Sequence, residues 1–262
     1  MGRYGRLLLV QIRASLTLAA QYRSDFVIEA IVELVWGASA LAPLFVVYGE
    51  RSSVGGWTAG EALLVVGFFS LLQATLEGAI NPGLNALVEH IRKGTLDLIL
   101  LKPADAQFLV STARFQPWKA VGALVAGAIF GLAFRLLGRA PGPAELAASL
   151  GMFAVSLTTI YALWIMVASL AFHVVKVDNL TFLLDSLFDA ARWPSSVFRG
   201  LARFLFTFVL PLGLMTTFPA EALLGRLSLA HAAAGIGGAA GLLVASRLLW
   251  VWSVGRYSSA SS

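Results

Sequence analysis

The sequence predicts an all-α integral membrane protein of six transmembrane helices, and three observations predict it. Of its 262 residues 58% are hydrophobic and only 13% charged, and the mean hydropathy is +0.82, far from the composition of an average water-soluble domain. Six apolar runs are each close to the ~20 residues that cross a hydrocarbon layer of about 30 Å as helix. None of them alternates with the period of two that a barrel strand shows. Helix, which satisfies its own backbone polar groups, is therefore the spanning form.

Each element has its own reason. Residues 4–20 put Tyr4, Leu8, Ile12, Leu16 and Ala19 on one face with Arg6 and Arg13 elsewhere, the pattern of a helix lying in the membrane interface over residues 1–25. The first span, Phe26 to Tyr48, carries Glu29 and Glu33 four residues apart, hence on one face. Thr58-Ala-Gly-Glu61 is a capping box that opens the second span, Ala59 to Glu77. A polar segment, 78–117, follows. In it Asn81-Pro82 has the chemistry of an N-cap followed by a first-turn proline. Leu84, Leu87, Val88 and Ile91 then recur at i, i+3, i+4 and i+7, with Asn85, Glu89, His90, Arg92 and Lys93 on the other faces, and Gly94 is placed to end the helix. The run Leu96 to Leu101 returns to the membrane boundary and Pro103 breaks it.

Spans three and four, Trp118 to Leu137 and Leu146 to Phe172, form a hairpin through the short turn Gly138 to Pro143. Leu201 to Phe218 and His231 to Trp252 supply the fifth and sixth, within residues 173–262. Gly127-x-x-x-Gly131 and Gly237-x-x-x-Gly241 are expected to permit close helix approach, within one subunit or between two. Pro43 and Pro211 are expected to kink their helices. No internal repeat and no long linker divides the chain, so residues 1–262 read as a single transmembrane domain.

Charge sets the topology. Of the 19 Lys and Arg residues, only Arg51, Arg135, Arg139 and Arg226 fall on one side of the six spans, which puts both termini in the cytoplasm. That asymmetry accounts for the sequence pI of 9.9; no basic and aromatic residues interleave as a nucleic-acid surface would require. There is no cysteine, and His90, His173 and His231 stand in separate segments without metal-ligand spacing. No phosphate-binding G-x-x-x-x-G-K-[ST] loop, H-E-x-x-H motif or nucleophilic triad is present. Asp185-Ser-Leu-Phe-Asp189-Ala-Ala-Arg192 lacks the second aspartate pair of a lipid transferase. No catalytic set is read from these patterns, and no metal or cofactor is expected on this chain.

Carboxylates inside a membrane are functional candidates because a charge at the helix centre costs ~2.5–3.5 kcal/mol on insertion scales. Glu29, Glu33 and Glu77, with Gln73 one turn deeper, all sit near the cytoplasmic ends of their spans. Two readings stand: a cytoplasmic-side polar network completed by nearby arginines, or a cation-attracting mouth of a transport path.

The motifs resemble a known family. Gly56-Trp57, Ile91-Arg-Lys-Gly-Thr-Leu-Asp97, Leu100-Leu-Lys-Pro103, Gln107-Phe108, Val177-Asp-Asn-Leu180, Thr207-Phe-Val-Leu-Pro211, Pro219-Ala-Glu-Ala-Leu-Leu-Gly225 and Arg256-Tyr-Ser-Ser are similar to the integral-membrane subunit of ABC-2 type transporters, the exporter permeases related to the daunorubicin-resistance type. The resemblance implies that the helix between spans two and three is the coupling helix, contacting an ATPase subunit through Glu89, Arg92, Lys93, Thr95 and Asp97. It implies cytosolic ATPase subunits that carry ATP and Mg, a second permease subunit, identical or related, in a prokaryotic cell membrane, and an amphipathic or lipophilic cargo such as a drug or natural product. It also opens a second placement of span five, roughly Asn179 to Val197, with re-entrant outer helices after it and Arg192, Arg199 and Arg203 moved outside. The alternative function is a secondary transporter or channel that works without ATP through Glu29, Glu33 and Glu77.

Overall fold

The structure, a computed structural model, describes residues 2–21, 23–172, 188–198, 200–201, 206 and 211–257. Helices carry the architecture, with one isolated bridge, Val54 with Trp57, in the loop after the first span. In chain order they are α1 (Arg3–Gln21), α2 (Arg23–Glu50), α3 (Ala59–Thr75), α4 (Asn81–Arg92), α5 (Asp97–Leu100), α6 (Ala106–Ser111), α7 (Ala120–Leu137), α8 (Pro143–Leu170), α9 (Phe218–Leu223) and α10 (Leu229–Val254). Five stretches among the described residues are long and apolar enough to cross a membrane: Val27–Glu50, Ala59–Arg92, Pro117–Leu137, Pro143–Leu170 and Leu229–Val254.

α3 is the axis of the bundle. Thr58 caps it as the sequence predicts: its hydroxyl accepts from the Glu61 N–H at 3.5 Å, and its own N–H donates to Glu61 Oε2 at 2.8 Å. Leu63 to Val66, Phe69 and Leu72 are buried all round. α3 lies closest to α7, where a side chain on Gly67 would meet the Phe130 ring and one on Gly122 would meet Ala74. Among the described residues the two spaced glycine pairs predicted for this role do not perform it: a Cβ on Gly127, Gly131, Gly237 or Gly241 would meet no described neighbour within 4 Å. Close approach comes instead from glycines that lack the four-residue spacing. Behind α3 and α7, α8 packs along α10 and over α9, and Ser149 and Ser156 donate to the carbonyls of Pro219 and Leu214 at 2.9 and 3.1 Å.

Two predicted boundaries change. The second span does not stop near Glu77, and Asn81 makes no side-chain cap. A π-helical turn, Leu76–Ile80, carries α3 directly into α4. Pro82 explains the turn: it has no N–H to offer the carbonyl four residues back, and the wider turn relieves the ring's clash with the preceding backbone. The carbonyl it leaves unpaired, that of Gly78, accepts from the Gln116 N–H at 2.8 Å. Pro43, in contrast, lies inside α2, and Pro211 stands before a helical turn, its carbonyl accepting from Leu214 and Met215, while residues 207–210 ahead of it lie outside the described residues.

The fifth span is the second change. Ser196 donates to the Gly55 carbonyl at 2.9 Å, so the chain stands at the end of the bundle that holds the α2–α3 loop. Val197 and Leu201 are then separated by at most ~14 Å of chain, too little to reach the opposite end of a ~30 Å layer. Phe218, stacked on His231 with ring centroids 5.5 Å apart, sits at the same end as Ser196. The described residues on either side of the predicted span Leu201 to Phe218 thus lie at one end of the bundle, and residues 202–205 and 207–210 of that span lie outside the described residues. From Pro211 the chain runs outward through a second π-helical turn, Gly213–Thr217, and α9, both buried, where non-helical or broken backbone is tolerated in a membrane protein. The alternative crossing, Asn179 to Val197, lies outside the described residues over 179–187, as do Val177-Asp-Asn-Leu180, His173 and Asp185.

Candidate functional site

Two constellations are built by this fold. The first is the predicted coupling segment. α4 ends as Gly94 allows: with φ +66°, its N–H bonds the Ile91 carbonyl at 3.2 Å and the Thr95 N–H bonds that of His90 at 3.0 Å, a Schellman closure. The Thr95 hydroxyl is drawn to His90 Nδ1 at 2.8 Å. Asp97 opens the short α5.

The apolar stripe of α4 does not face outward. Leu84 and Leu87 are buried with Leu96, Val110, Ile160, Trp164 and Trp250 in the core of the chain itself, and Ile91 packs against that cluster. Val88 is half-buried. An amphipathic helix can dock its apolar stripe in a partner's groove; here the stripe matches the helix to its own bundle. What α4 exposes is Asn85, Glu89, Arg92 and Lys93, with Lys93 Nζ on Glu89 Oε1 at 2.6 Å, one turn apart.

The second constellation gathers all four sequence-predicted path residues. Lys119, in the turn Pro117–Lys119 that starts α7, reaches Glu77 at 2.7 Å and Glu29 and Glu33 at 3.1 Å each. Gln73 Nε2 donates to Glu77 Oε1 at 2.9 Å. Glu29 and Glu33 come from one face of α2, Glu77 from the π-helical turn, and the turn's extra residue aims Glu77 at Lys119. The Lys119 side chain is 14% exposed. Three carboxylates thus share one ammonium in a partly desolvated setting, and the hydrogen bonds are charge-assisted.

The cluster forms part of the lining of a cavity of about 300 Å³ between α2, α3 and α7. Val32, Trp36, Phe69 and Val125 give it apolar walls, and Asp189 and Arg192 line its deeper part. Those two pair at 2.9 Å, with the Arg192 guanidinium 5.2 Å from the Phe69 ring centroid. Sequence reasoning assembled the acids and expected arginines to answer them. It counted Lys119 only as a topology-setting cation, although a lysine at the first turn of span three stands at the same membrane level as Glu29, Glu33 and Glu77.

At the opposite end two ion pairs form one to one. Arg226 meets Glu61 at 2.9 Å and lies 4.0 Å over the Trp57 ring centroid, while Arg139 meets Glu145 at 3.1 Å and donates to the Leu224 carbonyl at 2.9 Å. The Tyr48 hydroxyl donates to the Trp57 carbonyl at 3.1 Å. Gly56-Trp57 and the Pro219 to Gly225 motif are thereby brought to one clasp.

Compared with known proteins, the chain matches a family model described as ABC-2 family transporter protein over residues 34–261. No curated protein and no solved structure gives a significant match.

Proposed function

The chain belongs to the ABC-2 family of transporter proteins, a membrane component of transport systems, and from that premise we propose that it is the permease subunit of an ATP-driven exporter. Two such subunits, identical or paired with a related chain, enclose the path, and separate cytosolic ATPase subunits supply ATP and Mg chemistry that no motif of this chain could. The family generally works with such ATPases. The membrane is the prokaryotic cell membrane, with both termini and α4 on the cytoplasmic side.

The observation that carries the reading is the unbroken run Ala59–Arg92. Its far end offers Glu89, Arg92 and Lys93, with Thr95 and Asp97 just beyond, as the coupling surface; its apolar stripe is locked into the bundle. A push on α4 is therefore delivered to α3 through the π-helical turn, and to α7 through the Gln116–Gly78 bond and the Lys119–Glu77 pair. The cavity between α2, α3 and α7, lined by Glu33, Gln73 and Glu77 together with apolar walls and the Asp189–Arg192 pair, supports its assignment to the transport path and suits an amphipathic or lipophilic cargo.

Co-expression with the chain of a neighbouring reading frame that carries a phosphate-binding loop tests the proposal. The two should co-purify and hydrolyse ATP. Reversing Arg92 and Lys93 to Glu should leave membrane insertion intact and separate hydrolysis from export. Transport by the purified chain alone, indifferent to ATP, would sink the exporter reading in favour of a secondary transporter or channel.

A further inference from the structure

The coupling segment is tied to the far half of the bundle by a polar clamp distinct from the route through α3 and α7. Asp105 caps α6, its Oδ1 accepting from the Phe108 N–H at 2.9 Å. Both of its oxygens also accept from Arg247 of α10, at 3.2 and 2.6 Å. The same guanidinium donates to Gln107 Oε1 at 2.8 Å, and Gln107 Nε2 donates to the Tyr161 hydroxyl of α8 at 3.1 Å. That hydroxyl also bonds Ser111 Oγ at 2.9 Å. α6 is thus held at its first turn by α10 and at both ends by α8.

On its other side α6 touches the coupling helix without room to slip. A side chain on Gly83 would come 2.5 Å from the Val110 carbonyl and 2.9 Å from that of Ser111. α1 straps the same segment: the Tyr4 hydroxyl accepts from the Asp105 N–H at 3.3 Å, and Ser15 Oγ accepts from the Phe115 N–H at 3.1 Å. Val110 and Leu96 pack on Ile160, Trp164 and Trp250 in the core, but apolar contacts permit sliding. A bidentate guanidinium–carboxylate pair is directional and fixes register.

We propose that Arg247 and Tyr161 are positioning residues for transport: through α6 they convert a displacement of α4 into movement of α8 and α10, so both halves of the bundle switch together. The inference rests on the exporter reading.

Because the chain has no cysteine, paired spin labels can be placed without removing any. Leu136→Cys and Leu229→Cys, both exposed at the end far from the clamp, report the separation of α7 from α10 in the complex with its ATPase subunits. Trapping with ATP and vanadate should change that distance in the otherwise native complex. In Arg247→Gln the change should fall to less than half while ATP hydrolysis stays within about twofold; Arg247→Lys, which keeps the charge and loses the fork, should be intermediate. Tyr161→Phe, which removes two hydrogen bonds and leaves the ring, serves if Arg247→Gln does not assemble. A distance change of native size in both Arg247→Gln and Tyr161→Phe overturns the clamp but not the exporter reading. No nucleotide-dependent change in the native complex overturns both.

Discussion

The two ends of this bundle answer charge in opposite ways. At the Trp57 end two cations each take one carboxylate: Arg226 with Glu61, Arg139 with Glu145. At the other end one ammonium serves Glu29, Glu33 and Glu77 beside a cavity. One-to-one pairs next to stacked aromatic and backbone contacts close a structure. A three-to-one cluster leaves two negative charges for water, protons or a passing ligand to balance, and it can be rearranged by moving any of three helices. The closed end reads as a clasp and the open end as the working end.

The most severe way to break that contrast is to remove the shared cation. Breaking a buried ion pair by deleting one partner costs ~3–5 kcal/mol, and Lys119→Met strands three carboxylates rather than one, although water at the rim offsets part of the cost. The expected outcome is loss of folded, monodisperse protein in detergent. Neutralising Glu33 and Glu77 to Gln in the same chain should restore much of the folded yield, because what destabilises the single variant is mutual repulsion rather than lost packing. A Lys119→Met protein as stable as the native one would remove the distinction between the ends.

At the clasp the same experiment should be mild. Arg226→Gln loses a half-exposed ion pair, worth ~0–1 kcal/mol, and a cation–π contact of ~0.5–2 kcal/mol. The expected fall is about 1–2 kcal/mol, seen as a modest drop in thermal midpoint with the fold retained. A collapse comparable to that of Lys119→Met would mean that the clasp, not the cluster, carries the bundle.

The asymmetry was half legible in the sequence. Hydropathy located the five stretches long and apolar enough to cross a membrane, and the Thr58-x-x-Glu61 box and Gly94 fixed one start and one stop, because capping is written in adjacent residues. Helix periodicity put Glu29 and Glu33 on one face, and membrane level grouped them with Glu77. It could not name Lys119 as their partner, since that requires knowing that α2 and α7 flank the same turn of α3. Nor could it say which way the stripe of α4 faces: an apolar stripe fits a partner's groove and a chain's own core equally well, and only the packing of Leu84 and Leu87 against Trp164 and Trp250 decides. The break at Asn81-Pro82 was misread for a related reason. Asn-Pro does open helices, but here the Gln116 N–H supplies what Pro82 cannot, and a contact 38 residues downstream in sequence is invisible to local pattern.

Asp105 gives the finest test, because it lies between the two regimes: one carboxylate on one cation, yet at the working end. Burial pushes its carboxyl up, but the hydrogen bonds and charge of Arg247 and the N–H of Phe108 outweigh burial and hold it below the usual aspartate range. A carboxylate with a depressed folded pKa contributes stability above its unfolded value, about 3.9, and loses it as pH falls through the folded value. Thermal midpoints of native protein and Asp105→Asn, measured from pH 6 down to 3, should therefore differ by a small constant amount above about pH 5 and draw together as the pH falls further. Midpoints that coincide at every pH would assign Asp105 a purely structural role as the α6 cap, since the amide oxygen of asparagine can still accept from the Phe108 N–H and only the ionised carboxylate holds Arg247 by charge.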